Sequence, residues 1–391
     1  MLRMAHFSIL FTNFQKNTET MKTRFLFSLS ILCISIACAQ ETRTDDVPLT
    51  SNTDYTYEVV VPELTNPWGL AQLPDGSMLI TEKNGDIIHF KDGKRTMVTG
   101  GPAVVTRNQG GLMDVNLHPD YKNNGWLYLT YSSAEGDEEG AHTALMRAKL
   151  KDGALVDTMV LYKGSPNSKK GHHFGSRIRF DKDGYLYFSI GDRGDRDVNP
   201  QDVTKDGGKI YRLNADGSIP KDNPFVGKSG AREAIYSYGH RNPQGMAVHP
   251  KTGKIWVHEH GPRGGDEINI PEAGKNFGWP IISYGINYSG TTFTEITEKA
   301  GMEQPVYYWV PSIAPSGMTF VNNSGDKHLE GNLLVGSLKF QYLELVILKN
   351  DKVVAREKLL EDVGRVRNVI MGNDGNVYVG VEGKGILKLK K

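Results

Sequence analysis

Residues 182–190 read KDGYLYFSI. A turn carrying Gly184 leads into a run whose successive side chains face opposite sides of a strand. The same unit returns as PDGSMLIT (74–81), NNGWLYLTY (123–131), KTGKIWVHE (251–259), LEGNLLVGS (329–337) and NDGNVYVGV (373–381). Asp-Gly or Asn-Gly ahead of alternating apolar residues is a strong hairpin signal. Six copies at intervals of about 45–80 residues point to six repeated β-units with loops of uneven length. A unit of that size holds four short antiparallel strands, and six such sheets set radially make a β-propeller. The expected fold is all-β: a six-bladed β-propeller with four-stranded antiparallel blades. A stacked β-sandwich is the alternative, but nothing in a sandwich requires one turn-strand unit to recur six times.

The formal net charge of +1 argues against a general nucleic-acid or membrane-surface binder. From Met21 the chain reads MKTRFLFSLSILCISIACAQ: two basic residues, an apolar run from Phe25 to Ile36, then Ala37-Cys38-Ala39 before Gln40. That is a secretory signal layout, and the apolar run is too short to span a bilayer well. Residues 1–39 are expected to be an upstream extension and signal peptide, 40–53 a polar linker, and 54–391 the propeller. The expected location is periplasmic or secreted. Lipidation of Cys38, which would tie the protein to a membrane, is the alternative, although Ser35 suits it poorly three places before the cysteine. Cys33 and Cys38 are the only cysteines, so the propeller has neither a disulfide nor a catalytic thiol.

In a propeller the loops at one end of the channel converge, so a site there draws residues from most repeats. The densest stretch is Tyr236–Pro280, with His240, Arg241, Asn242, His258, Glu259, His260, Arg263, Asp266 and Glu267 set among glycines and prolines. Pro262 interrupts any regular hydrogen-bonded run, leaving the Gly261 and Pro262 carbonyls as candidates for a hard cation. The first repeat offers Asn66, Trp68, Thr81 and Glu82, which serve structure or ligand equally. The second is led by NQGG (108–111) with Gln109. The third opens with GHHFGSRIRF (171–180), giving His172, His173 and Arg177, and its strand ends at Ile190-Gly191-Asp192. A carboxylate there would orient a neutral imidazole and stabilise its charged form. Residues 287–304 show little periodicity and read as a long loop, and long loops in compact domains are often functional. Arg241, Lys339, Arg365 and Arg367 sit beside strand ends, and the last two alternate, so they face one side together. Several cations at one channel mouth imply an anionic ligand bearing carboxylates.

The stretches NPWGLAQLPDG, NQGGLMDVNLHPDY, HFGSRIRFDKDGYLYFSIGD, GKIYRLNADGSIPKDNPF, YSYGHRNPQGMAVHP, EHGPRGGDEINIPEAGKNFGWP, SYGINYSG and GRVRNVI carry a resemblance. The chain resembles the soluble pyrroloquinoline-quinone-dependent sugar dehydrogenases of the glucose/sorbosone dehydrogenase family, over roughly Val59 to Leu389. The resemblance implies a six-bladed propeller that oxidises the C1 hydroxyl of aldoses to lactones. Hydride would pass to calcium-bound pyrroloquinoline quinone (PQQ), and electrons to an external acceptor. It implies His173 as general base, Asp192 as the acid that orients it, and Arg241 with Asn242 beside the reactive quinone carbonyl. Gln109, Tyr288, Ser312 and Ala314 match cofactor-lining positions. Lys339, Arg365 and Arg367 match cations on the cofactor's carboxylates and quinone oxygens. Gly261 and Pro262 match carbonyl ligands of the cofactor's calcium, and Glu267 with the Phe277 carbonyl a second, structural calcium site. His172 stands where the glucose enzymes have an acid and His260 where they have Gln, so preference for glucose itself is left open. Phe277 replaces a Tyr of some relatives, which matters little if only its carbonyl binds. A calcium-dependent, lactonase-like hydrolase and a non-catalytic sugar-binding propeller remain as alternatives.

Overall fold

The computed structural model describes residues 47–391. The expected leader, with Cys33 and Cys38, lies outside the described residues. The six recurring runs each become the second strand of a blade: Met78–Glu82, Trp126–Ser133, Leu186–Ile190, Ile255–Glu259, Leu333–Ser337 and Val377–Val381. The glycine of each preceding turn, Gly76, Gly125, Gly184, Gly253, Gly331 or Gly375, has φ between 69° and 85°. That left-handed conformation is costly for a residue with a Cβ, which is why the motif keeps glycine there.

The strand before each turn is the inner one: Pro67–Gln72, Leu112–Leu117, Ile178–Phe180, Pro243–Val248, Pro315–Phe320 and Val366–Met371. Each inner strand touches the inner strands of the blades on either side, closing a ring. Among the described residues five sheets are four-stranded and one is five-stranded, and the N-terminal segment gives a strand to two of them. Thr56–Pro62 pairs antiparallel with Gly385–Lys390 and so completes the sixth blade from the opposite end of the chain. Leu49–Ser51, expected within the polar linker, pairs parallel with Arg356–Lys358 as a fifth strand of the fifth blade. Among the described residues no helix is long and apolar enough to cross a membrane.

The core is divided among the blade interfaces. In the third blade, Leu186, Phe188 and Ile190 pack with Tyr128 and Leu145 of the second blade. Tyr187, on the opposite face of the same strand, packs with Met246, Ile255 and Val257 of the fourth. A second strand is therefore buried on both faces, and the apolar run LYFSI is the consequence.

Arg177 crosses the axis. Its Nε donates to the Gln244 carbonyl at 2.7 Å, Nη1 to Asp114 Oδ1 at 3.0 Å and the Trp68 carbonyl at 3.3 Å, and Nη2 to the Arg367 carbonyl at 2.9 Å. One fully buried guanidinium thus ties together four blades besides its own.

Candidate active site

Antiparallel pairing places the start of each inner strand beside the end of the second strand: Pro67 opposite Glu82, Pro243 opposite Glu259, Pro315 opposite Ser337 and Val366 opposite Val381. The residues just before the inner strands and just after the second strands therefore crowd one end of the channel. His173, Asp192, Arg241, Asn242, His260, Ser312, Ala314, Lys339 and Arg365 all occupy such positions.

A cavity of about 300 Å³ opens there, lined by His172, His173, Asp192, Arg241, Pro262, Trp279 and Tyr288 among others. His173 Nδ1 lies 2.6 Å from Asp192 Oδ1. Asp192 is buried, while the His173 side chain keeps 14% of its surface, so the imidazole is reachable. A carboxylate accepts only, so Nδ1 carries the proton and Nε2 is left with its lone pair. Gln109 Oε1 accepts the His173 backbone N–H at 2.8 Å, and Gly194 N–H donates to Asp192 Oδ1 at 2.7 Å. Burial, reinforced by the Arg241 charge and opposed by Asp192, lowers the His173 pKa to about 4. Burial pushes Asp192 upward, but His173, Arg241 and the Gly194 N–H outweigh it and hold the carboxyl at about 2. The result is a neutral imidazole on a permanently ionised carboxylate.

Arg241 follows Asp192 through a backbone hydrogen bond, Asp192 N–H to Arg241 carbonyl, at 2.7 Å. Its Nη1 donates to the His260 carbonyl at 3.0 Å, and it forms no ion pair among the described residues. Asn242 Oδ1 accepts the Gly175 N–H at 3.1 Å, while its buried Nδ2 has no partner among the described residues. His172 stands edge-on to His173 at 4.6 Å between ring centroids. His260 does not line this cavity; its Nε2 meets the Pro315 carbonyl at 2.6 Å.

The remaining cations are arranged differently from one another, and none of the three lines this cavity. Lys339 is exposed, 4.9 Å above the Phe340 ring, with no ion pair among the described residues. Arg365 and Arg367 do face one side together, but they share a carboxylate: Arg365 Nε reaches Glu382 Oε2 at 2.6 Å and Arg367 Nε reaches Glu382 Oε1 at 2.9 Å. Two guanidiniums against one carboxylate leave one net positive charge. Contacts nevertheless link these groups around the mouth. His260 meets the Pro315 carbonyl, Leu338 N–H donates to the Ala314 carbonyl at 3.1 Å, and Arg365 Nη1 donates to the Leu338 carbonyl at 3.1 Å. Asn66 Nδ2 extends this chain of contacts by donating to Glu382 Oε1 at 3.4 Å. Trp68 and Thr81 are structural. Trp68 lies under Arg177, and Thr81 donates to the Met113 carbonyl. Glu82 accepts the Asn66 N–H at 2.7 Å.

Tyr288 lines the cavity and is 72% exposed, a surface free to meet a ligand. Ser312 and Ala314 are held by Asp266, which accepts the Ser312 hydroxyl at 2.7 Å and the Ala314 N–H at 2.9 Å. The same carboxylate accepts the Gly261 N–H at 2.8 Å, folding the 261–265 turn. The carbonyls of Gly261 and Pro262 accept no hydrogen bond among the described residues. Glu267 lies opposite Glu259 across two strands, and Asn269 Nδ2 bridges them at 3.0 Å to each. Burial and the neighbouring Glu259 raise the Glu267 pKa to about 8. Asn269 Oδ1 is buried without a partner among the described residues. Phe277 stacks on His240 at 4.6 Å, and its carbonyl accepts no hydrogen bond among the described residues. No group of three or more His, Cys, Asp or Glu side chains is arranged for a metal among the described residues. A cation here would need amide and carbonyl oxygens as well, the hard ligands that suit calcium.

Trp279, Glu382, Glu259 and Asp266 were not assigned roles from the sequence. Glu259 and Glu382 stand at the end of a second strand, as Asp192 does, so the strand-end rule reaches them. Trp279 arrives from a loop, and only its place in the motif NFGWP marks it.

A family model described as Glucose / Sorbosone dehydrogenase matches residues 64–388. The chain is 41% identical over 367 residues to aldose sugar dehydrogenase YliI of Escherichia coli strain K12, covering 92% of this chain and 96% of that one. The crystal structure of the soluble aldose sugar dehydrogenase of Escherichia coli in its apo form superposes with a TM-score of 0.83 at 41% identity, over 86% of this chain and 99% of that one. A PQQ-bound aldose sugar dehydrogenase from Streptomyces coelicolor superposes with a TM-score of 0.69 at 28% identity, over 87% of this chain and 99% of that one.

Proposed function

The chain belongs to the glucose/sorbosone dehydrogenase family, and from that premise we propose that it oxidises the C1 hydroxyl of aldose sugars to lactones with PQQ and calcium. The observation that carries this reading is the His173–Asp192 pair facing a cavity that also holds Arg241 free of any ion pair among the described residues.

The residues fit the group. An unpaired guanidinium at Arg241, an exposed ammonium at Lys339 and the net charge of the Arg365–Arg367–Glu382 trio suit a polycarboxylate. The partnerless Asn242 Nδ2 is a buried donor awaiting an acceptor. Gln109, Tyr288, Ser312 and Ala314 complete the proposed lining. The free carbonyls of Gly261 and Pro262 would hold the cofactor's calcium. Glu267, with the Phe277 carbonyl and the orphaned Asn269 oxygen, would hold a structural one.

When bound, PQQ supplies the carbon that accepts hydride from C1. His173 Nε2 takes the proton of the C1 hydroxyl, so the carbon losing hydride is not left with positive charge. Asp192 keeps the opposite ring nitrogen protonated and stabilises the imidazolium that forms. Arg241 would hold its positive charge beside the cofactor's reactive carbonyl and offset negative charge there. An external electron acceptor then completes the cycle.

The leader pattern of residues 1–39 supports export to the periplasm or beyond the cell, with the propeller following it.

Titration of the cofactor-free protein with PQQ in the presence of calcium, followed by its absorbance and by aldose-dependent dye reduction, tests the reading. Saturable binding and sugar-dependent turnover, both lost with a chelator, are expected. A protein that binds PQQ yet reduces no dye with any aldose, or that binds none, contradicts it.

A further inference from the structure

Asp192 presents two oxygens to its surroundings, and they are served unequally. Oδ1 accepts from His173 Nδ1 at 2.6 Å and from the Gly194 N–H at 2.7 Å. Oδ2 accepts from the indole Nε1 of Trp279 at 2.9 Å and, among the described residues, from no other donor. The carboxylate is 1% exposed, so water does not substitute for the indole.

Trp279 is itself fixed from elsewhere. Its N–H donates to the Gly239 carbonyl at 2.9 Å, and its carbonyl accepts from Gln201 Nε2 at 2.8 Å. Its ring meets Phe293 edge-on at 5.3 Å and lies under the Arg241 guanidinium at 5.4 Å. It is 7% exposed and also borders the cavity. The indole therefore brings a rigid donor from the 276–280 loop to the back of the dyad.

We propose that Trp279 is a positioning residue for the oxidation, holding the Asp192 carboxylate in the plane from which it orients His173. The proposal rests on the reading of His173 as the base. An indole N–H stabilises the carboxylate anion without adding charge. Without it, Oδ2 is unserved and the carboxylate is free to rotate about its bond. The carboxylate then becomes more basic and draws harder on the His173 proton. His173 would therefore hold its extra proton to higher pH while its orientation loosens. The other charged or titratable groups facing the pair are Arg241, His172, His260, Arg193 and Lys209. Of these only Arg241 touches Trp279, through the ring face, and phenylalanine keeps an aromatic face beneath that guanidinium.

Nitrogen-15 NMR of the full chain in Trp279→Phe tests this without substrate. The His173 signals are identified by their loss in His173→Gln. The imidazole midpoint is expected to rise by about one pH unit in Trp279→Phe, and in the PQQ-loaded enzyme kcat falls with little change in KM. Because the midpoint needs no sugar turnover, failure of the dehydrogenase reading does not disturb it. The unsubstituted chain gives a second readout should the variant not fold. Of its five tryptophans, one indole N–H signal should titrate with the His173 midpoint and shift in Asp192→Asn. An unmoved His173 midpoint in folded Trp279→Phe, or the absence of any indole signal that follows the dyad, overturns the proposal.

Discussion

Arg367 and Arg365 converge on Glu382 from the same side of one strand, Arg367 Nε on one carboxylate oxygen at 2.9 Å and Arg365 Nε on the other at 2.6 Å. The two pairs differ in environment. The Arg367 side chain is 11% exposed and that of Arg365 48%. Breaking a largely buried pair leaves an uncompensated charge, so Glu382→Gln should destabilise the protein by about 3 kcal/mol. Arg365→Gln should lose no more than about 1 kcal/mol. Urea unfolding of both variants separates them, and equal losses would be the contrary result.

Arg177 and Asp114 form the buried pair on the axis, with side chains 0% and 1% exposed. Arg177→Met removes the nearer partner of the buried Asp114 carboxylate and leaves it only Arg179, 3.5 Å away, with an expected loss of about 3 kcal/mol. The double variant Arg177→Met, Asp114→Asn should recover part of that, since neither charge then remains. Unfolding free energies of the parent, Arg177→Met, Asp114→Asn and the double variant give the coupling directly.

How much of this was legible beforehand depended on how local each feature is. The turn glycines and the runs after them report strand pairing between neighbours in sequence, so the blade number and the second strands could be read directly. The strand-end rule follows from that pairing, which is why His173, Asp192 and Arg241 were placed together. Ring closure was not legible. The contact of Asn368 Nδ2 with the Trp68 carbonyl joins residues 300 apart, and nothing local to Thr56–Pro62 says it completes the last blade. Leu49–Ser51 is similarly polar in appearance and becomes a strand only because an edge is available. Glu382 was missed because a cation pattern shows charges but not the carboxylate that a neighbouring strand sets between them.

The low His173 pKa, about 4, bears on the pH profile. Protonation blocks Nε2, so activity falls as pH falls, and the acidic limb of kcat/KM should lie near pH 4 instead of near 6.5, the value of an unperturbed histidine. Asp192→Asn removes the group that fixes the Nδ1–H tautomer and should lower kcat by a factor on the order of 10²–10⁴. A limb near 6.5 in the unsubstituted enzyme would contradict the burial described for this ring.

Glu267 gives a prediction for metal binding. Its folded pKa, raised to about 8, exceeds the unfolded value, so the group favours the folded state fully at pH values below the unfolded pKa. That contribution is lost as pH rises from about 4.5 toward 8. A calcium ion bound there would pair the carboxylate and reverse the loss. Calcium at a hundredfold over its Kd should stabilise by about 2.7 kcal/mol, with a larger rise in Tm at pH 8 than at pH 5. Glu267→Gln should be more stable than the parent at pH 8 without calcium and should respond less to its addition. Calorimetry with and without chelator checks both.

Rapid mixing of the PQQ- and calcium-loaded protein with an excess of aldose, monitored by cofactor absorbance, tests the proposed chemistry at the base itself. The parent protein should show sugar-dependent cofactor reduction within one turnover. His173→Gln should retain the bound cofactor and show that reduction slowed by at least about a hundredfold. Reduction at the parental rate in His173→Gln would contradict the assignment of this imidazole as the group that takes the proton.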